Sequence, residues 1–145
     1  MEVVLKRLDD AFHFEAKGAS GIPVSMDAAE SLGGHNLGAR PMELLLMGLG
    51  GCTAIDVQLI LSKQRQVMQD FQIRVSGERE KIAGTEKSPF RKILVSFELK
   101  GEIEPAKALR AIQLSMEKYC SATAQLEPSA AITHELILNG QRIHA

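Results

Sequence analysis

The sequence predicts an α+β fold of mostly antiparallel strands around a long buried central helix. Two observations predict it. Segments with a two-residue apolar period are joined by short turns, which favours antiparallel pairing over a doubly wound sheet. Among them lies one long stretch that is mostly apolar, from Met42 to Leu61. With 145 residues the chain is long enough for one domain, which we expect to span 1–145.

The first third of the chain is predicted to form three short strands, at 2–8, 11–17 and 22–26. In the second of them Phe12, Phe14 and Ala16 alternate with polar residues, which indicates a strand with one apolar face. The stretch 27–40 is rich in Gly and Asn and has no apolar period, so we expect a loop there.

A long helix is predicted to begin near Pro41, a residue favoured in the first turn, and to end near Lys63. It is apolar nearly all round, so we expect it in the centre of the fold. Its length would suffice to cross a bilayer, but Glu43 and Asp56 would be costly there, and no membrane association is expected. Its three interior glycines indicate a close approach of another element or a kink: Gly48, Gly50 and Gly51.

The second half is predicted to hold two longer strands, a helix and a last strand, around 71–75, 93–99, 105–119 and 131–138. A highly charged connection at 78–92 is interpreted as the solvated end of a hairpin. His134 falls on the apolar side of the last strand, and we interpret it as a core histidine.

The composition argues against nucleic acid as a partner. The formal charge is −1, so no broad basic surface is expected, and Trp is absent while Tyr119 is the single tyrosine. The first residues show no secretory signal, so we expect a cytoplasmic protein whose cysteines live in a reducing environment.

The two cysteines carry the chemical interest of the sequence. Cys52 lies among small residues on the long helix, and Cys120 follows the second helix, 68 positions later. They form no Cys-x-x-Cys pair, so thioredoxin-like and zinc-finger interpretations lose support, and no metal or cofactor is predicted. They can meet only if the two helices pack together. The alternative is that both merely fill space in the core.

A nucleophilic role for Cys52 needs help from the fold. A mid-helix position does not provide the N-terminal dipole that often activates a thiol, so a cation or another donor must lie close. Asp56, one helical turn on, would oppose ionisation if it faced the sulfur.

The sequence resembles the OsmC/Ohr family, named for osmotically inducible protein C and the organic hydroperoxide resistance proteins. Three features carry the resemblance: the helix start at 41–45 followed by Gly50-Gly51-Cys52, the segment 117–120 that ends in Cys120, and the order of strands and helices. It is similar to one branch, the YhfA-like proteins, whose motif Gly-Gly-Cys-Ser/Thr-Ala-Ile-Asp resembles Gly51–Asp56 with its flanks.

The resemblance implies an OsmC-like intertwined homodimer and a two-cysteine organic hydroperoxide reductase, with peroxiredoxin-like chemistry in peroxide detoxification. Cys52 would attack the peroxide and become a sulfenic acid, and Cys120 would close a disulfide with it. An external dithiol, such as a lipoylated protein, would then reduce the disulfide.

The resemblance also implies a supporting glutamate and arginine, and the sequence departs from the family at both. The family's glutamate follows the proline directly, where this chain has Met42, so Glu43 is the candidate. Nine residues along a straight helix turn Glu43 roughly opposite to Cys52, about 13 Å away along the axis. Arg40 is a candidate for the arginine by residue type, as is Arg7, neither by motif.

Two other functions stay open at this point. The substitution by Met42 and the absence of a clear arginine favour a non-enzymatic OsmC-like protein that binds a small apolar ligand. A Cys–His acyl hydrolase is the third hypothesis.

Overall fold

The structure, a computed structural model, describes all residues from Met1 to Ala145 and contains two compact units, Met1–Leu45 and Leu46–Ala145. The unit of residues 1–45 is called the N-terminal unit below, and the unit of residues 46–145 the C-terminal unit. The expectation of one domain over 1–145 stays a prediction.

The N-terminal unit contains a three-stranded antiparallel sheet in the order β1-β2-β3. Its strands are shorter than predicted: β1 (Val4–Arg7), β2 (Phe14–Lys17) and β3 (Val24–Met26). The following loop contains a single 3₁₀ turn, Glu30–Leu32, and one buried side chain, that of Asp27. No apolar side chain of residues 1–45 is buried, so this unit has no apolar core within the single chain.

The long helix α1 (Pro41–Lys63) has the predicted bounds. Its buried residues in the C-terminal unit are spaced mostly four apart and form one stripe along the helix: Leu49, Gly50, Thr53, Val57 and Leu61. The hydroxyl of Thr53 is satisfied within the helix, because it donates to the carbonyl of Leu49 at 3.0 Å.

In the single chain the central helix is buried along one stripe only, whereas the sequence predicts a buried central helix. Apolar side chains outside the buried stripe are exposed to solvent, among them Met47 at 55% and Ile55 at 70% of their maximal area. The helix is also long and apolar enough to cross a membrane by length and composition alone, a property that core helices of soluble proteins share. The sequence shows that α1 is mostly apolar on all sides, but it does not show which sides other parts of the protein cover.

The expected close approach at the helix glycines is confirmed at Gly50. A Cβ atom there would lie 3.1 Å from Cγ2 of Val75, so this glycine lets α1 pack directly on the neighbouring strand. Gly48 and Gly51 have open space instead, with no heavy atom within 4 Å of such a Cβ.

The C-terminal unit is built on a four-stranded sheet in the order β4-β5-β6-β7. Its strands are β4 (Val67–Arg79), β5 (Phe90–Glu102), β6 (Ala131–Leu138) and β7 (Gln141–Ile143). The predicted hairpin of β4 and β5 is antiparallel, as expected, whereas β5 and β6 pair in parallel. The parallel pair requires a crossover connection, and two helices and a π-helical turn provide it.

That crossover consists of α2 (Pro105–Leu114), a π-helical turn (Ser115–Tyr119) and α3 (Ser121–Leu126). The sequence predicted one helix over 105–119 and neither the π-helical turn nor α3. Pro105 stands at the start of α2, where its missing N–H costs nothing. Ala108, Ala111 and Ile112 give α2 its buried face.

Candidate functional site

Two thiols and a carboxylate meet in the C-terminal unit. The Sγ atoms of Cys52 and Cys120 and a carboxylate oxygen of Asp56 all lie within 4.8 Å of one another. Cys52 and Asp56 are half-buried, and Cys120 is buried with 5% of its area exposed. The structure therefore places Cys52 close to Cys120, as the redox hypothesis required. We call Cys52, Asp56 and Cys120 the sulfur cluster.

The helix α1 supplies two members of the sulfur cluster for a geometric reason. Residues four apart in an α-helix lie one above the other on the same face, so Cys52 and Asp56 point the same way. Thr53, between them in sequence, belongs to the buried stripe and fixes the rotation of the helix against the sheet. Cys52 and Asp56 therefore lie at the border between buried and exposed surface.

The π-helical turn determines where Cys120 points. Its closing hydrogen bond runs from the N–H of Cys120 to the carbonyl of Ser115, five residues back, at 2.8 Å. Cys120 then takes an extended conformation and caps α3, which would be impossible had α2 continued regularly. Single π-turns inside helical segments occur frequently at functional sites.

Two hydrogen bonds hold the sulfur cluster from outside. The buried hydroxyl of Ser115 donates to Oδ2 of Asp56 at 2.9 Å and so ties the π-helical turn to α1. The backbone N–H of Thr123 donates to Sγ of Cys120 at 3.3 Å. Sequence reasoning missed both residues, because their roles depend on the π-helical turn and on α3.

The environment of Cys120 disfavours its ionisation. Burial raises the pKa of the Cys120 thiol above its usual 9.0, and the adjacent Cys52 sulfur raises it further, while Thr123 acts in the opposite direction through its hydrogen bonds. No basic side chain is among the causes of this pKa shift. Cys120 is therefore a neutral thiol at pH 7.

Cys120 opens on a cleft of about 620 Å³ in the C-terminal unit, formed between the π-helical turn, α3 and the start of β6. Lys118 and His134 line it and are its basic groups. His134 is exposed, so its interpretation as a core histidine is wrong. The ammonium of Lys118 lies 5.3 Å from the ring centroid of Tyr119, a cation–π distance.

The other two predicted site residues lie in the N-terminal unit, just before and within the first turn of α1. Arg40 is half-buried, and its guanidinium donates to the carbonyl of Gly38 at 3.1 Å and to the side chain of Asn36. The carboxylate of Glu43 accepts from the backbone N–H of Arg40 at 2.9 Å, which caps the start of the helix. Their catalytic roles stay predictions.

Asp27 organises the loop that the sequence predicts at 27–40. Its carboxylate accepts backbone hydrogen bonds from Ala28 at 2.7 Å, His35 at 3.0 Å and Leu37 at 3.1 Å. Burial acts to raise the pKa of Asp27, but these hydrogen bonds, with a smaller contribution from His13, outweigh it and lower the pKa below 3.8. An aspartate shortly before a Gly-rich stretch was the available signal in the sequence.

Comparison with known proteins agrees with this architecture. Protein YhfA from Escherichia coli K12 is 38% identical over 124 residues, which cover 83% of this chain and 86% of that protein. The crystal structure of a hypothetical protein from Aquifex aeolicus is 31% identical, with a TM-score of 0.76 over 95% of this chain and 96% of that one.

The organic hydroperoxide resistance protein OhrB of Bacillus subtilis shares the fold, at 16% identity and a TM-score of 0.67 over 93% of this chain and 96% of that one. The mixed α+β fold predicted from the sequence is thereby confirmed. The family profile described as OsmC-like protein matches residues 34–135, a segment that contains the whole sulfur cluster. The chain therefore belongs to the OsmC-like protein family.

Proposed function

We propose that this protein is a two-cysteine, thiol-dependent reductase of organic hydroperoxides. The observation that carries the proposal is the position of the Cys52 and Cys120 sulfurs within 4.8 Å of each other. A disulfide needs about 2.05 Å between sulfurs, so a side-chain rotation suffices to approach bonding distance. The shared fold of OhrB, an organic hydroperoxide resistance protein, supports the same chemistry.

The proposed cycle balances in three steps. The Cys52 thiolate attacks the outer oxygen of the hydroperoxide, the O–O bond breaks, and the alkoxide takes a proton and leaves as an alcohol. The resulting sulfenic acid of Cys52 is attacked by the Cys120 sulfur, which releases water and forms a disulfide. An external dithiol, such as a lipoylated protein, returns both thiols by exchange and becomes a disulfide itself.

The environments of the two sulfurs support this division of roles. Cys52 is half-buried and the more accessible of the two. The raised pKa of Cys120 keeps that sulfur protonated and unreactive toward peroxide until the sulfenic acid forms beside it. Glu43 and Arg40 stay the proposed helpers, but about 13 Å of helix separates Glu43 from Cys52 of its own chain, so a second copy of the chain would have to bring them to the sulfur. Peroxide detoxification in the cytoplasm is the proposed role.

We further propose that the protein works as an intertwined homodimer. The N-terminal unit has no buried apolar side chain, and α1 exposes Leu45, Met47, Ile55 and Leu59. A second copy of the chain would remove this apolar surface from water, which is the main driving force of association. Light scattering should give about twice the chain mass of 15.8 kDa; a single-chain mass would contradict the homodimer.

One observation favours the second candidate, a non-enzymatic protein that binds a small apolar ligand. The Asp56 carboxylate lies beside both sulfurs, and a negative charge there opposes thiolate formation. An apolar hollow of about 370 Å³ between α1 and β4 offers space for such a ligand. Native mass spectrometry of gently purified protein would then show a retained organic molecule.

Intact mass spectrometry tests the peroxidase proposal. The reduced protein, treated anaerobically with one equivalent of cumene hydroperoxide, should become lighter by two hydrogens. Cys120→Ser should instead gain one oxygen, which dimedone captures as a sulfenic acid adduct, and Cys52→Ser should stay unchanged. Wild-type protein that keeps both thiols would exclude the peroxidase. Retained ligand together with intact thiols would establish the binding protein.

A further inference from the structure

We propose that the reduced sulfur cluster of Cys52, Asp56 and Cys120 is a binding site for a thiolate-preferring divalent cation of the zinc type. Three potential ligand atoms, two sulfurs and one carboxylate oxygen, lie within 4.8 Å of one another. Zn²⁺ takes sulfur ligands at about 2.3 Å and carboxylate oxygens at about 2.0–2.2 Å, so ligand atoms around one ion lie somewhat under 4 Å apart. Small side-chain movements are enough to reach that geometry.

The ligands come from backbone positions that hold them independently of the metal. Cys52 and Asp56 share one face of α1 at the i, i+4 spacing that helices use for paired metal ligands. Cys120 approaches from a different element, at the end of the π-helical turn. Because the three ligands come from two elements, they approach an ion from different sides. Two residues that happen to lie together on one surface would not.

The surrounding hydrogen bonds are those that metal ligands receive in proteins. The Ser115 hydroxyl holds one oxygen of Asp56 at 2.9 Å, and the Thr123 N–H points at the Cys120 sulfur at 3.3 Å. Such outer partners orient ligands and adjust their basicity. Both partners are buried, at 0% and 4% exposure, so water does not compete for these bonds.

The sulfur cluster is also accessible to a cation and to water from solvent. Cys120 lines the 620 Å³ cleft, and Asp56 lines a second cavity of about 380 Å³, so a cation and its fourth ligand, a water molecule, can enter. Three protein ligands and one open position are typical of accessible rather than purely structural zinc sites. On binding, the two thiols lose their protons to solvent, and the cation, two thiolates and one carboxylate form a complex of net charge −1.

Cation binding and disulfide formation exclude each other, because both use the same two sulfurs. The cation would therefore protect the thiols from oxidants, and oxidation to the disulfide would release it. The site itself does not rest on the proposed peroxidase function, since metal binding is measured in the absence of any peroxide.

Cobalt serves as a visible probe of the site. Reduced, tag-free protein titrated anaerobically with Co²⁺ should show thiolate-to-cobalt charge-transfer bands that saturate at one ion per chain. Cys52→Ser and Cys120→Ser should each weaken those bands strongly. Asp56→Asn should keep them but lower the Zn²⁺ affinity, measured against a chromophoric chelator, by about tenfold or more. Asp70→Asn, on the exposed part of β4, is the matched control and should bind as the wild type does.

X-ray absorption of the zinc-loaded wild type gives a readout that needs no variant. Two sulfur neighbours at about 2.3 Å are expected beside oxygen neighbours. Protein whose two cysteines have been joined to a disulfide by diamide should bind no cobalt, and reduction should restore binding. Zinc affinity unchanged in the Cys52→Ser/Cys120→Ser double variant, or absorption showing only nitrogen and oxygen neighbours, would overturn the proposal. Neither result depends on whether the protein turns over peroxide.

Discussion

Two aspartates in this protein have the same side-chain group in two different environments. Asp27 is 2% exposed, and three backbone N–H groups of its own loop donate to it. Asp56 is half-buried, receives one hydrogen bond from the Ser115 hydroxyl, and has two thiols beside it. The first is surrounded by fixed main-chain donors, whereas the second has reactive groups for neighbours.

The difference lies in how much of each carboxylate remains free. Backbone donors cannot turn away, so the lone pairs of Asp27 are committed to holding the loop at 27–37. Asp56 retains acceptor capacity on the side that faces the sulfurs, where it can interact with a proton, a thiol or a cation. We infer that the Asp27 region serves folding and that the Asp56 region serves chemistry.

The largest expected effect follows from removing the sulfur that we assign as the nucleophile. Cys52→Ser should lower steady-state hydroperoxide consumption by about 10³-fold or more, because an enzyme without its nucleophile keeps only the acceleration that binding and electrostatics supply. Amide exchange at His35 and Leu37 in the Asp27 loop should not change. Undiminished turnover in Cys52→Ser would show that the chemistry lies elsewhere.

The second effect concerns the Asp27 loop. Asp27→Ala removes three hydrogen bonds at once and leaves three backbone N–H groups of the loop without their acceptor, so protection of the His35 and Leu37 amides should fall by about tenfold or more. Hydrogen exchange followed by NMR measures it. Thiol alkylation should be unaffected in this variant. Protection equal to the wild type would mean that the loop is held by other contacts.

The third effect tests the charge beside the sulfurs. Asp56→Asn removes a negative charge within 4.8 Å of both sulfur atoms, so alkylation by iodoacetamide at pH 7 should accelerate by roughly three- to tenfold. Asp27→Asn is the control of the same chemistry and should leave the rate unchanged. Slower alkylation in Asp56→Asn would instead identify Asp56 as an acceptor of the thiol proton.

The contrast also separates what the sequence could predict from what it could not. The bounds of α1 and the segment of β6 followed from apolar patterning and from Pro41, which are local properties of the chain. The proximity of Asp56 to Cys52 was predictable as well, because an i, i+4 spacing fixes it. That Cys120 joins them depended on helix packing, for which the spacing of 68 residues gave no information.

The rest depended on backbone features that leave little trace in a sequence. The π-helical turn adds one residue to a helical segment, and nothing in Ser115–Tyr119 marks it. The helix α3 is six residues long, too short for a periodic pattern. The exposed sides of α1 could not be separated from its buried stripe, because both consist mostly of apolar residues.

The smallest expected effect is a dependence of stability on acid that comes from Asp27. The pKa of Asp27 in the folded protein lies below the value of about 3.9 expected for the unfolded chain. The unfolded chain therefore binds this proton first as the pH falls. The resulting stabilisation is complete above the unfolded pKa and is lost as the pH drops through the lower folded pKa.

Urea unfolding between about pH 6 and pH 3 should show this loss directly. The wild type should exceed Asp27→Asn in stability at pH 6, and the difference should shrink toward pH 3, while every other carboxylate cancels in the comparison. Asp10→Asn, which replaces an exposed aspartate of the N-terminal unit, is the control variant. If the difference in stability stays constant with pH, Asp27→Asn is destabilised by the hydrogen-bond geometry of its amide and not by the loss of the negative charge. Any hydrogen-bond acceptor of the right shape could then replace the Asp27 carboxylate. Asp27 and Asp56 would differ only in the hydrogen bonds that they accept.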